Sequence, residues 1–158
     1  MTSTAVWVIV PIVLFVLGTV LGVRVSPREK ALGELRDRAR KMDLHPRLVP
    51  APAWTGHLAS NGQAGGMIAY YHMVLPDARL PLLQAKVVDG RLHVLKGDLA
   101  LEGRALDLVG AQALDMQSNS IGLYWDEAAD LQGTALDRMK QTLLTLAQDV
   151  QTKTPHSP

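Results

Sequence analysis

Nineteen consecutive residues, Ala5 to Val23 (AVWVIVPIVLFVLGTVLGV), carry no charge, and Thr19 supplies their one polar group. A helix over that run rises about 1.5 Å per residue and reaches roughly 28 Å, close to the hydrocarbon thickness of a bilayer. The run predicts a membrane span. Everything after it is then expected to be a domain tethered to a lipid bilayer, on one defined side.

Positive charge supplies the side. Met1 to Thr4 hold no Lys or Arg, whereas seven fall between Arg24 and Lys41. The positive-inside rule places the N-terminus outside and the C-terminal domain in the cytoplasm, so the expected localisation is a bacterial inner membrane, crossed once. A cleaved signal peptide would need basic residues before the apolar run and an A-x-A pattern after it, and the sequence has neither. Pro11 interrupts the run and frees the carbonyl near Trp7, which a membrane helix tolerates near its end. Gly18 and Gly22 form a G-x-x-x-G pair, the spacing that lets a second helix backbone approach. They are the residues expected to pack a homo-oligomer through the helix, although glycine is also frequent in membrane helices that pack nothing.

The formal net charge of +1 conceals a division. Between Arg24 and Arg47 there are eight basic and four acidic residues, and the remainder holds eight basic and eleven acidic. A basic collar therefore precedes a mildly acidic domain. The positive-inside rule already accounts for the collar, and no nucleic acid is expected as a partner. The absence of cysteine excludes disulfides and thiolate metal sites.

Residues 1–25 are thus read as an anchor and 26–44 as a basic juxtamembrane helix. Ser26-Pro27-Arg28-Glu29 is a capping-box start, with Pro27 where no amide partner is needed. Leu32, Leu35, Ala39 and Met42 follow as a narrow apolar stripe, suited to packing on the domain, on a neighbouring subunit or on anionic headgroups. His45 to Trp54 (HPRLVPAPAW) carries three prolines and reads as an extended linker. Thr55 to Gly66 reads as a loop. Its glycines Gly56, Gly62, Gly65 and Gly66 precede no Lys-Ser or Lys-Thr and no helix signal, so a phosphate-cradling loop is not expected.

Residues 67–151 are expected to form a small α+β domain, an antiparallel sheet packed against a C-terminal helix. Met67 to Leu75 is rich in strand formers. Leu82 to Val88 and Arg91 to Lys96 flank Asp89-Gly90, a dipeptide that accepts positive φ and predicts a two-residue hairpin. In that register Val87 faces Leu92 and Ala85 faces Val94 on the apolar side, while Lys86 faces His93 on the polar side. Leu99 to Leu101 and Ala105 to Leu108 are expected to pair about Glu102-Gly103, and Ile121 to Trp125 is a further strand. Val109 to Met116 is ambiguous. Leu136, Met139, Leu143, Leu146 and Val150 predict an amphipathic helix opened near Thr134, and 152–158 reads as a disordered tail.

Candidate chemistry is sparse. Asp126, Glu127 and Asp130 cluster after Trp125, where they would either hold a hard cation or cap a helix N-terminus. The five histidines lack ligand spacing, and no serine sits in a nucleophile elbow. No cofactor is expected. Trp54, Tyr124 and Trp125 are the candidate contacts to a protein partner, weighed against a role in the core. The leading expectation is a single-pass inner-membrane protein whose cytoplasmic domain is a non-enzymatic binding or assembly module. The alternative is a tethered enzyme or ligand sensor using Gly62 to Gly66 with the acidic cluster.

Overall fold

A computed structural model describes the backbone of residues 2–22, 26–55 and 66–153, with side chains described over 6–18, 26–55 and 66–151. Helix α1 (Thr2–Gly22) and helix α2 (Pro27–Lys41) precede six strands: β1 (His45–Pro50), β2 (Met67–Val74), β3 (Leu80–Val88), β4 (Arg91–Lys96), β5 (Ala111–Ser118) and β6 (Ser120–Trp125). Helix α3 (Leu136–Lys153) closes the described chain. The strands form one sheet in the order β1-β2-β6-β5-β3-β4, antiparallel at every pairing.

Among the described residues no helix is long and apolar enough to cross a membrane. That finding corrects the expected span over Ala5 to Val23, and with it the single-pass inner-membrane placement and the tethered-domain description of the fold and function. The backbone of α1 runs over 21 residues, and its side chains are described over the thirteen from Val6 to Gly18. The side chains of Ala5 and of Thr19 to Gly22 lie outside the described ones, and Val23 lies outside the described residues. Across the described part of α1 every large apolar side chain is exposed, Trp7 at 79% and Phe15 at 74%.

The body is built as its sequence pattern requires. Glu29 reaches back to the Ser26 amide at 3.4 Å to open α2, and Leu35 and Ala39 are the residues that α2 buries. Asp89 and Gly90 both take positive φ, at 50° and 71°, and β3 pairs with β4 in the expected register. Leu136, Met139, Leu143, Leu146 and Val150 lie buried along α3. They meet Tyr71 and Met73 of β2, Leu83 and Ala85 of β3, Leu114 and Met116 of β5, and Leu123 and Trp125 of β6 in one core. Helices α2 and α3 thus share one face of the sheet.

Three segments differ from their expected form. His45–Pro50 is an edge strand rather than a linker, because an edge tolerates Pro46 and Pro50, whose missing amides leave no inner ladder incomplete. Leu99–Leu101 is a 3-10 turn capped by Asp98, and the chain after it lies along β4 through Leu92–Arg104, Gly103–Leu92 and Val94–Glu102 hydrogen bonds. Helix α3 continues through Lys153, and 154–158 lie outside the described residues, as do 56–65 of the expected loop.

Candidate functional site

Among the described residues the helix-covered face holds one buried carboxylate. Glu127 follows β6 in a 3-10 turn and is 7% exposed. Arg36 of α2 clamps it with both arms, Nε to Oε1 at 2.8 Å and Nη2 to Oε2 at 2.6 Å, and the Tyr71 hydroxyl donates to Oε1 at 2.7 Å. The hydrogen bond to Glu127 raises the Arg36 pKa, and burial together with the same carboxylate raises that of Tyr71. Bidentate pairing of this kind is directional as well as strong, so it fixes the angle at which α2 meets the sheet. A cavity of about 190 Å³ opens beside the clamp, lined by Arg28, Leu32, Leu48 and Met67. Glu127 also lines this cavity, with three of its roughly four acceptor positions taken by Arg36 and Tyr71.

The other acids of the expected cluster have structural work. Asp126 accepts from the Ala128 amide at 3.0 Å. Asp130 accepts from the Thr134 hydroxyl and from the Ala135 amide, the latter at 2.5 Å. Burial works against the Asp130 charge, but the Ala135, Thr134 and Gly133 hydrogen bonds prevail and hold its pKa below the ordinary value. Asp130, five residues ahead of Ala135, thus opens α3 in place of the Thr134 start expected from sequence. Among the described residues no group of three His, Asp or Glu is placed to hold a metal ion. Gly62 and Gly65, the proposed other wall of an enzyme cleft, lie outside the described residues.

The opposite face carries the aromatic residues that alternate out of the core. Five rings adjoin in sequence: His45 to His72 at 5.4 Å between centroids, His72 to Tyr70 at 5.3 Å and nearly parallel, Tyr70 to Tyr124 at 4.7 Å, and Tyr124 to Trp54 at 5.7 Å edge-on. Ile68, Ala113 and Tyr124 form a second small core here, with Val49, Ala51, Trp54 and Tyr70 packed on it. Of the candidate partner contacts, Trp125 is 1% exposed and donates its indole N–H to the Val109 carbonyl, Tyr124 is 7% exposed, and Trp54 is half-buried. Two of the three rings are therefore turned inward. Gly18 is described and open, with nothing within 4 Å of where a Cβ would stand, and Gly22 is outside the described side chains.

One row of residues crosses the whole sheet on this aromatic face. Cα pairings run His45 to His72, His72 to Gly122, Gly122 to Asp115, Asp115 to Gln84, and Gln84 to Lys96. At its centre Gly122 is a requirement of close approach, since a Cβ there would stand 2.3 Å from the Tyr70 ring tip. Beside it the Asp115 carboxylate accepts from the Met116 amide, while its Oδ1 is buried with no hydrogen-bond partner. Burial raises the Asp115 pKa, and burial also lowers that of His72, with Arg47 adding to the effect. Tyr124, desolvated and facing the Asp115 charge, is pushed up to about 12.

None of Tyr70, His72, Asp115 or Gly122 was singled out by sequence reasoning as a site. The one available signal was the Ser118-Asn119 turn, whose two-residue length sets the β5–β6 register and so brings Asp115 opposite Gly122. Compared with known proteins, the chain matches no family model, and no curated protein or solved structure matches it either.

Proposed function

We propose that this chain is a non-enzymatic assembly module that self-associates through α1. The observation that carries the reading is the exposure of Val6 to Val10 and Ile12 to Leu17 along α1, with no face of that stretch packed on the body. A helix apolar all round needs cover on every side. Several copies bundled together cover each face that meets a neighbour in the bundle, more of the helix than a single groove reaches.

The body offers little competing surface for association by strand addition. At one edge β1 carries Pro46 and Pro50, which cannot donate to an added strand. At the other, β4 is overlaid by residues 102–106 through the Leu92, Val94 and Arg91 contacts. The non-enzymatic part of the reading rests on the roles of the charged groups, since Glu127 and Asp130 stabilise helices α2 and α3.

Sedimentation and chemical cross-linking of the full chain test this. The wild type is expected as a defined oligomer, and Val10→Glu, Leu14→Glu, Leu17→Glu together are expected to yield monomer with an unchanged far-UV spectrum of the body. A monomeric wild type, or a chain that floats with phospholipid vesicles while showing no cross-link between copies, would overturn the reading.

A further inference from the structure

We propose that Asp115, the neighbour of Gly122 on which the Tyr70 ring tip rests, is the anionic floor of a binding site for a primary ammonium group carried by a small organic ligand. The site lies on the aromatic face of the sheet, and it is independent of association through α1.

The argument starts from an imbalance. Asp115 Oδ1 is buried and accepts no hydrogen bond, and no ion pair joins Asp115 to a cation among the described residues. The nearest register neighbours give it nothing charged: Gln84 on one side and Gly122 on the other. Water could fill the vacant lone pair but would leave the charge uncompensated in a partly desolvated place. A lone carboxylate is too few ligands for a hard metal ion, which takes six or more oxygens.

The surroundings favour one kind of cation. Tyr70 and Tyr124 present π-systems at a 4.7 Å centroid separation, and an ammonium near such faces is attracted by their quadrupoles. Across Gly122 from Asp115, His72 Nδ1 is a second buried nitrogen without a partner. Two strand spacings, about 10 Å, separate the His72 and Asp115 backbones, with no side chain on the intervening Gly122. Tyr70 leans into that interval and shares a hydrogen bond with the Ser120 side chain, so the phenol is the part that must swing aside to admit a ligand. An –NH₃⁺ group donates to Asp115 and to a neutral His72, and its alkyl stem lies against the rings. A quaternary ammonium lacks the donors, and an anion meets an unpaired carboxylate. Burial raises the Asp115 pKa, and burial together with the Arg47 charge lowers that of His72, which favours the neutral imidazole that accepts from the ammonium.

Thermal unfolding of the 158-residue chain, titrated with butylammonium chloride against sodium chloride and tetramethylammonium chloride at equal ionic strength, tests the site. At a hundredfold excess over Kd, butylammonium is expected to raise Tm by about 5 °C, with smaller rises from the other two salts and perturbation of the Gly122 amide resonance. Asp115→Asn is near-isosteric and should lose the butylammonium shift, while Tyr70→Leu should weaken it. Equal shifts from all three salts, or an undiminished butylammonium response in Asp115→Asn, would overturn the proposal whatever the oligomeric state of the chain.

Discussion

Glu127 and Asp115 are carboxylates associated with the two faces of one sheet, and their surroundings differ in kind. On the helical side α2 lowers Arg36 onto Glu127, Tyr71 rises to meet it, and each oxygen is satisfied. On the aromatic side no cation of the described residues pairs with Asp115, and one oxygen is left vacant. The helical layer lets a long basic side chain reach down onto the buried charge, as Arg36 of α2 does onto Glu127. Where the layer is made of rings, the charge stays open to something from outside the chain.

The largest test of this contrast removes the completed side. Glu127→Ala leaves the Arg36 guanidinium and the Tyr71 hydroxyl without their acceptor, and breaking a buried pair costs about 3–5 kcal/mol. Because Arg36 is 32% exposed and keeps some water, the low end of that range, about 3 kcal/mol, is expected in urea unfolding. A loss below about 1 kcal/mol would mean that α2 is held by Leu35 and Ala39 alone. Next in size is Gly122→Ala on the aromatic side, where the added methyl displaces the Tyr70 ring tip. The phenol can swing away, so about 1–2 kcal/mol is expected, accompanied by a change in tyrosine near-UV signal. An unchanged signal would show that Tyr70 does not rest on Gly122.

How much of this was legible beforehand follows from the range of the interactions involved. Asp89-Gly90 announced its hairpin because a positive-φ dipeptide and alternating neighbours are both local. The α3 stripe was equally local. β1 was hidden because Pro46 and Pro50 suggest a linker unless one knows that the strand lies at an edge. β5 was ambiguous because Gln112 is the extra residue of a bulge: Ala111 sits opposite Trp125 and Ala113 opposite Tyr124, so alternation fails at that point. The α1 expectation drew on residues at both ends that lie outside the described side chains. The Asp115 row was out of reach for a different reason, since it joins five strand pairings and only their combined register creates it.

Asp115→Asn should separate the two faces in the opposite direction from Glu127→Ala. Burial favours the protonated form of Asp115, so its folded pKa exceeds the unfolded one, near 3.9. The folded state then binds more protons than the unfolded state in that interval, and stability falls as pH rises through it. Asparagine carries no charge to desolvate. The variant is expected to melt above the wild type at neutral pH by a few degrees at most, since Asp115 is only partly buried, and the two should converge below about pH 3.5. A variant that melts lower at pH 7 would show that the charge has a partner after all.

The smallest effect belongs to His72, on the far side of Gly122 from Asp115. Burial, Arg47 and His45 hold its folded pKa below the ordinary value of about 6.5, with a backbone hydrogen bond at His45 opposing them. Above that unfolded value both states are neutral and the residue contributes no pH dependence. As pH falls through it, the unfolded chain takes up the proton first, and stability is lost until the lowered folded pKa is reached. The groups facing it are His45 and Arg47 on β1, Tyr70 on its own strand, and Asp115 beyond Gly122. His72→Gln, which keeps a polar side chain without the titration, should flatten the decline in Tm as pH falls below about 6.5. If the decline persists unchanged, another group carries it, and His72 does not sense the open charge across the row. If butylammonium at a fixed pH shifts the wild-type decline but leaves that of the glutamine variant in place, His72 and Asp115 act on one ligand from opposite sides of Gly122.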